Sequence, residues 1–475
     1  MNSSIPRAVF LTAIMSLILT VNVIRFSWLD KVPPGAHADE TIDSANIECL
    51  ATEGADAADV KMPFFSHIGY SFKPPNYIYP GVVWGKLFGF SVPSFRALAA
   101  FFVLVAIIGF FMLGRRLWGV DYGLWLSLVA SLSPWMWPVS RIAFDSLVAL
   151  PFFIWGLYFL FRSSAVRDQI LAGVFLAGSL YGYSTFRMAL PLMLPVLLLF
   201  RFRHDENRWR GIIALLVSLA VVLIPLASIT LHGQLSRYFD SISIFSKEFL
   251  VSLGSNGSFS DLWQIFWRIY GMHLDPGYLF VHGQGTVMYL TRFSGVFGWL
   301  DIIGLMLGAF WILRFLVMPL SRTKERQYIP FILVCLACFF IGLLPVGLTQ
   351  YNIPNVIRTS PAWFFAMMGV AFFLWRAAVK LKYVGIVFVI VGALFMGGYL
   401  RNYFTVYPAV NRMDFGVPYY ELAQKAKTFE DWVRFVWVCG GDQMKARYYL
   451  MHNKGMTCRQ AKDFYLSIAE YFPKK

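Results

Sequence analysis

Charge is what this sequence has least of. Only 14% of its 475 residues are charged, 58% are hydrophobic and the mean hydropathy is +0.60. A soluble surface needs roughly 25–35% charged positions, so this chain cannot clothe itself for water, and its solvent must be lipid. Also missing is any glycine-rich loop of the kind that cradles phosphate, which removes nucleotide-binding chemistry of that type. The first apolar run, near 8 to 28, carries no small-residue cleavage site and is read as an uncleaved first span. Cysteines number five. Cys335 and Cys338 lie inside an apolar run and read as buried thiols without a metal role, while Cys439 and Cys458 share the tail and are candidates for a disulfide that leaves Cys49 single.

What the chain has in abundance is apolar runs long enough to cross about 30 Å of hydrocarbon as helices, recurring from end to end. The net charge of +15 is spread in clusters between these runs: Arg115 and Arg116, Arg162 and Arg167, Arg201 to Arg210, Arg314 to Arg326, and Arg376 to Lys382. That distribution marks cytoplasmic loops rather than a nucleic-acid surface. It puts the N-terminus in the cytoplasm and gives eleven spans, near 8 to 28, 96 to 114, 122 to 140, 143 to 162, 170 to 186, 188 to 200, 211 to 231, 296 to 316, 328 to 348, 360 to 378 and 383 to 400. The stretch 74 to 90, broken by Pro74, Pro75 and Pro80, is read as an interfacial or partly inserted helix rather than a crossing. The expected fold is an all-α polytopic bundle over 1–400, with a long first external loop (29–75), a second large external loop (232–295) and a small external α/β domain over 401–475. The strand of that domain is expected at Val433 to Val438, and neither of the two later polar segments has a repeat or low-complexity tract.

This topology gathers ionisable residues on one face. His37, Asp39, Glu40, Lys73, Arg141, Asp145, Arg187 and Arg358 all fall in the first loop or at external ends of spans, and the first loop alone holds eight acids. Singly, each is explained as a solvated anchor at the membrane boundary; together they point to a site.

Several blocks of sequence then carry a resemblance: HADET at 37 to 41, MPFFSHIGYSFKPPNYIY at 62 to 79, SVPSFRALAAFFVLVAIIGFFMLGRRLWG at 91 to 119, SPWMWPVSRIAFDSLVAL at 133 to 150, YGYSTFRMALPLMLP at 181 to 195, IPNVIRTSPAW at 353 to 363 and YFTVYP at 403 to 408. In content and order they resemble the bacterial membrane glycosyltransferases related to protein O-mannosyltransferases and aminoarabinose transferases. The resemblance implies the GT-C fold, with an essential acid in the first external loop, and transfer of a sugar from a polyprenyl-phosphate carrier to an acceptor hydroxyl on the outer face of a bacterial inner membrane.

Chemistry assigns roles within that frame. A base must take the acceptor's proton, and the acid pair of the resembling enzymes maps onto Asp39 and Glu40, with Asp39 as the base and Glu40 either orienting it or contacting substrate. Negative charge grows on the departing phosphate, so fixed cations lower the barrier. Lys73, held before Pro74 and Pro75, is the first candidate for contact with the donor phosphate, and Arg141, Arg187 and Arg358 are the others, one of which is alternatively a partner for Asp145. The aminoarabinose transferases have a metal-holding acid directly before this lysine, where the present chain has Phe72. A divalent metal is therefore in doubt as a cofactor, and His37 and His67 are not assigned to one. Tyr77, Tyr79, Tyr351 and Trp363 are available for sugar stacking, and the acceptor class stays open between lipid, glycan and protein. Two other functions compete. A polysaccharide polymerase or ligase would also want external arginines, but the acidic first loop followed by KPP counts against it; a flippase should show charges deep in its spans and a repeated half, and neither is clear.

Overall fold

The computed structural model describes residues 7–68, 71–203, 205, 208–232, 240, 242–283, 288–317, 324–381, 383–439 and 442–469. Residues 233–239, 241 and 284–287 of the second polar loop, the end of the tail and the side chain of His67 lie outside that set. The chain is almost wholly helical. Each of the eleven expected spans overlaps a helix, though the one expected at 122–140 ends at Leu132: α1 (Arg7–Ile24), α4 (Val92–Trp118), α5 (Val120–Leu132), α6 (Ala149–Arg162), α7 (Val166–Gly182), α8 (Ser184–Phe202), α9 (Arg208–Leu231), α11 (Trp299–Val317), α12 (Ile329–Gly347), α13 (Ser360–Lys380) and α14 (Val384–Thr405). Among the described residues, eight helical stretches are long and apolar enough to cross a membrane, which makes this a multi-pass membrane protein.

The chain divides into two compact units. The first comprises 1–25, 102–139 and 148–402. In it α7 packs on α6 and α9, α12 on α8 and α13, and α13 on α11 and α5. Small residues permit the closest approaches: a Cβ at Gly173 of α7 would stand 2.4 Å from the Leu215 carbonyl oxygen of α9. The unit also contains a buried cation. Arg25 is fully enclosed, donates to Asn22 Oδ1 at 3.1 Å and to the carbonyls of Ser131 and Met136 at 2.9 and 3.2 Å, and stacks over Trp137. Charge in an apolar interior is tolerated when every donor is satisfied in this way.

The second unit comprises 26–101, 140–147 and 403–475. It holds α2 (Ala38–Glu53), a hairpin of β1 (Ser66–Ile68) and β2 (Ser71–Lys73), α3 (Pro75–Phe88) and the tail helices α15 (Val417–Lys425), α16 (Phe429–Val438), α17 (Gln443–Lys454) and α18 (Cys458–Ala469). The hairpin pairs Ser66 with Lys73 and Ile68 with Ser71. The stretch 74 to 90 is one helix over Pro75–Phe88, with Pro75 in its first turn and Pro80 inside it.

Two expectations about the tail fail. The Val433 to Val438 run belongs to helix α16, so the described tail is all-α. Trp432, Phe435 and Val436 are buried at helical spacing, and Thr428 and Asp431 form a capping box at its start. The disulfide also differs: Cys49 of α2 bonds Cys458 of α18 across 409 residues, while Cys439 is a free, buried thiol. Arg447 lies over this joint, donating to the Ala57 carbonyl at 2.8 Å and to Cys458 Sγ at 2.8 Å.

Candidate active site

The HADET segment is the start of α2, and its geometry follows from its first residues. Gly35 sits at φ +59, where a Cβ would lie 2.4 Å from the Phe415 carbonyl oxygen, so glycine is required to bring the loop against the tail. His37 is the N-cap. Its Nδ1 accepts from the Asp39 N–H at 3.1 Å, and Glu40 Oε2 accepts from the His37 N–H at 2.9 Å, closing a capping box.

The two acids of the pair then diverge. Glu40 is fully buried, and Arg96 of α4 grips it with two bonds, Nε to Oε1 at 2.8 Å and Nη2 to Oε2 at 2.7 Å. Glu40 Oε1 also accepts the Ala143 N–H at 3.0 Å. Arg96 spends its remaining donors on the carbonyls of Leu29, Pro33 and Gly35. This bidentate pair ties together the first loop, the start of α4 and the 140–147 segment. Asp39, by contrast, leaves 53% of its side chain exposed.

A second charge cluster adjoins the first. Lys73 Nζ stands 2.8 Å from Asp43 Oδ1 and 3.3 Å from Asp145 Oδ2. Asp43 is one helical turn beyond Asp39 on α2 and is buried; burial pushes its carboxyl up to about 8, against the pull of Lys73. Burial alone would lower the Lys73 ammonium, but the charges of Asp145, Asp43 and Asp39 outweigh it and hold the ammonium above its ordinary value. Tyr77 of α3 is fully buried, and among the described residues its hydroxyl has no hydrogen-bond partner. Burial, then the neighbouring Asp43 and Asp145, hold that phenol well above its ordinary range.

Arg141 is also enclosed. It donates to the carbonyls of Ser27 and Val32 at 2.7 and 2.8 Å and lies over the rings of Tyr403 and Phe404. Asp39, Glu40, Lys73 and Arg141 thus belong to one unit, together with Asp43, Asp145 and Arg96.

Arg187 and Arg358 belong to the other unit. Arg187 donates to the carbonyls of Leu180 and Tyr181 at the end of α7. Arg358 donates through Nη1 to Thr349 Oγ1 at 3.2 Å and to the Tyr351 carbonyl. Of the aromatics available for stacking, Tyr77 and Trp363 are core residues, Tyr79 donates to the Pro63 carbonyl, and Tyr351 is exposed.

The residues present do not fit a divalent metal: Asp43 and Asp145 are drawn to Lys73, Phe72 precedes it, and among the described residues no three His, Cys, Asp or Glu side chains form a ligand group. The sequence reading missed Arg96 and Asp43 as site-forming residues. Asp43 had a usable signal in its i,i+4 spacing from Asp39.

No family model matches the sequence, and no curated protein matches it. Similarity to solved structures is extensive. The chain is similar to the oligosaccharyltransferase of Archaeoglobus fulgidus tethered to an acceptor peptide containing the NVT sequon, with TM-score 0.53, 12% identity and coverage of 91% of this chain and 59% of that one. It is similar to the archaeal oligosaccharyltransferase AglB from the same organism in complex with an inhibitory peptide and a dolichol-phosphate, with TM-score 0.50, 13% identity and coverage of 90% and 59%. A third similarity, to ArnT from Cupriavidus metallidurans bound to undecaprenyl phosphate, has TM-score 0.48, 14% identity and coverage of 87% and 81%. The chain therefore spans about three fifths of the oligosaccharyltransferase's length. At such identities the likeness is one of fold, and that fold is GT-C.

Proposed function

We propose that the protein is a glycosyltransferase that moves a sugar from a polyprenyl-phosphate donor to an acceptor hydroxyl on the external face of a bacterial inner membrane. The observation that carries this reading is the contrast at the start of α2: an exposed carboxylate, Asp39, stands on a helix end locked by the buried Glu40–Arg96 pair. Preorganisation of this kind suits a general base. Asp39 takes the acceptor's proton as the acceptor oxygen attacks the anomeric carbon. The bond from that carbon to the phosphate oxygen breaks, and its electron pair leaves with the polyprenyl phosphate.

Glu40 acts in this reading as a positioning residue. Lys73 has three N–H donors and faces two carboxyl groups, so it can share its charge with the departing phosphate. The enclosed Arg141 holds the 140–147 segment rather than substrate, and Arg358 and Arg187 remain the candidates for donor contact. The Cys49–Cys458 disulfide supports an oxidising, external location for the unit that carries Asp39. The N-terminus is then cytoplasmic.

The test has two arms. Mass spectrometry of outer-face glycans, lipids and proteins from cells with and without the gene should show one conjugate losing a single sugar. Purified protein should transfer sugar from a synthetic polyprenyl-phosphate sugar to that acceptor. Loss of a whole oligosaccharide would instead assign a ligase, and an unchanged envelope with altered lipid-carrier distribution would assign a flippase.

A further inference from the structure

His273 follows the amphipathic helix α10 (Phe259–Met272) and is fully buried. Its Nδ1 lies 2.9 Å from the Ile269 carbonyl oxygen, and its Nε2 lies 2.9 Å from the Asn355 backbone nitrogen. A backbone N–H can only donate, so Nε2 supplies a lone pair and the ring proton resides on Nδ1, directed at Ile269. Burial pushes this imidazole down to about 4, with the nearby Arg358 charge adding to the effect, so both bonds persist at neutral pH.

Asn355 passes the constraint on. It is buried, and its Oδ1 accepts from the Ile357 and Arg358 N–H groups at 3.0 and 3.1 Å. The backbone at Arg358 is therefore fixed from three residues away by a side chain whose own backbone His273 holds. The Arg358 side chain is 6% exposed as a residue and uses only Nη1 for its protein bonds, to Thr349 and Tyr351. Among the described residues Nε and Nη2 have no protein acceptor. Those two nitrogens form the edge with which a guanidinium binds an oxyanion through parallel hydrogen bonds.

We propose that His273 is the positioning residue for Arg358: its Nδ1–H tautomer pins Asn355, and Asn355 presents the Nε and Nη2 edge of Arg358 to the phosphate of the polyprenyl donor. This rests on the reading above in which Arg358 contacts that phosphate. All the residues of the relay lie within one unit of the chain.

The experiment is equilibrium binding of undecaprenyl phosphate to the full-length protein in detergent. Arg358→Met should weaken binding about tenfold or more, the worth of a charge-assisted bidentate contact. His273→Phe keeps a ring but removes the acceptor, and should weaken binding about five- to tenfold. His273→Gln, whose amide oxygen can take the place of Nε2, should restore affinity to within about twofold. The double variant His273→Phe/Arg358→Met should bind like Arg358→Met alone, because one residue acts through the other. Wild-type binding by His273→Phe overturns the proposal, as does a Gln variant no better than Phe, or a double variant weakened by both full factors. Should His273→Phe fail to fold, Asn355→Ala carries the test: it should lose affinity to a similar degree, and wild-type binding by it overturns the relay. Wild-type binding by Arg358→Met strikes instead at the assignment of Arg358 to the phosphate, which is a separate failure.

Discussion

Asp39 leaves half its side chain exposed and Glu40 leaves none, so the same chemical change at neighbouring positions has different consequences. Asp39→Asn keeps shape and hydrogen bonding but removes basicity, and should lower transfer about a hundredfold or more with donor binding intact. Transfer assays with a polyprenyl-phosphate sugar check it, and a wild-type rate would remove Asp39 as the base. Glu40→Gln strands the Arg96 charge in the interior. It should cost roughly 3–5 kcal/mol of stability, read as a lowered melting midpoint in detergent, before any effect on rate is measured. A third expectation concerns pH. The folded pKa of His273 lies below its ordinary 6.5, at about 4, so the unfolded chain binds the extra proton first as pH falls. Stability is then fully present above 6.5 and lost as pH drops toward 4, by about 3 kcal/mol in all. Melting midpoints across that window should fall steeply for the wild type and less for His273→Phe. Asp39 and Lys73 were legible as candidates because ionisable residues beside a membrane boundary demand explanation. Their surroundings were not, since Arg96 lies 56 residues from Glu40 and a lone histidine such as His273 carries no spacing signal.

At the scale of elements, the apolar runs marked the helices well, because length and hydropathy alone decide what can sit in lipid. Helix α16 was misread because Trp, Val and Phe in close succession also suit a strand. The deciding signals were local and available: the capping box of Thr428 and Asp431, and burial of Trp432, Phe435 and Val436 at i, i+3 and i+4. The disulfide was not legible in this way. Cys439 and Cys458 are close in sequence, but α2 packs against α17 and α18, and that non-local packing brings Cys49 to Cys458. Because the bond closes so long a stretch of chain, Cys49→Ser and Cys458→Ser should each cost about 2–5 kcal/mol and should not add in the double variant. Cys439→Ser should leave the disulfide in place. Mass mapping of non-reduced peptides, with melts in the presence and absence of reductant, distinguishes this pairing from one between Cys439 and Cys458.

The same bond constrains the whole molecule. Two residues joined by a disulfide lie on one side of the membrane, so the chain between Cys49 and Cys458 must cross an even number of times. Among the described residues, seven of the eight long apolar helical stretches fall between them, an odd number. The total becomes even if one of the seven stays out of the membrane or if an odd number of further helices crosses. The candidates are α5 (Val120–Leu132), α7 (Val166–Gly182) and α11 (Trp299–Val317), and with all three the count becomes ten, which is even and agrees with the basic clusters. Asp205 then lies in the cytoplasm, five crossings from either Cys49 or Cys458. A reporter at residue 205 and one at the C-terminus should label on opposite faces, the first only after the membrane is permeabilised. The outcome turns on α11. Without its crossing, four helices separate residue 205 from the tail and the two reporters label together, while α5 and α7 add a pair before residue 205 and leave this comparison unchanged. Same-side labelling would remove α11 from the membrane and break the correspondence between basic clusters and loops. Opposite-side labelling places the Asp39 unit on the face away from the cytoplasm, where a sugar carried on a lipid phosphate is the available donor.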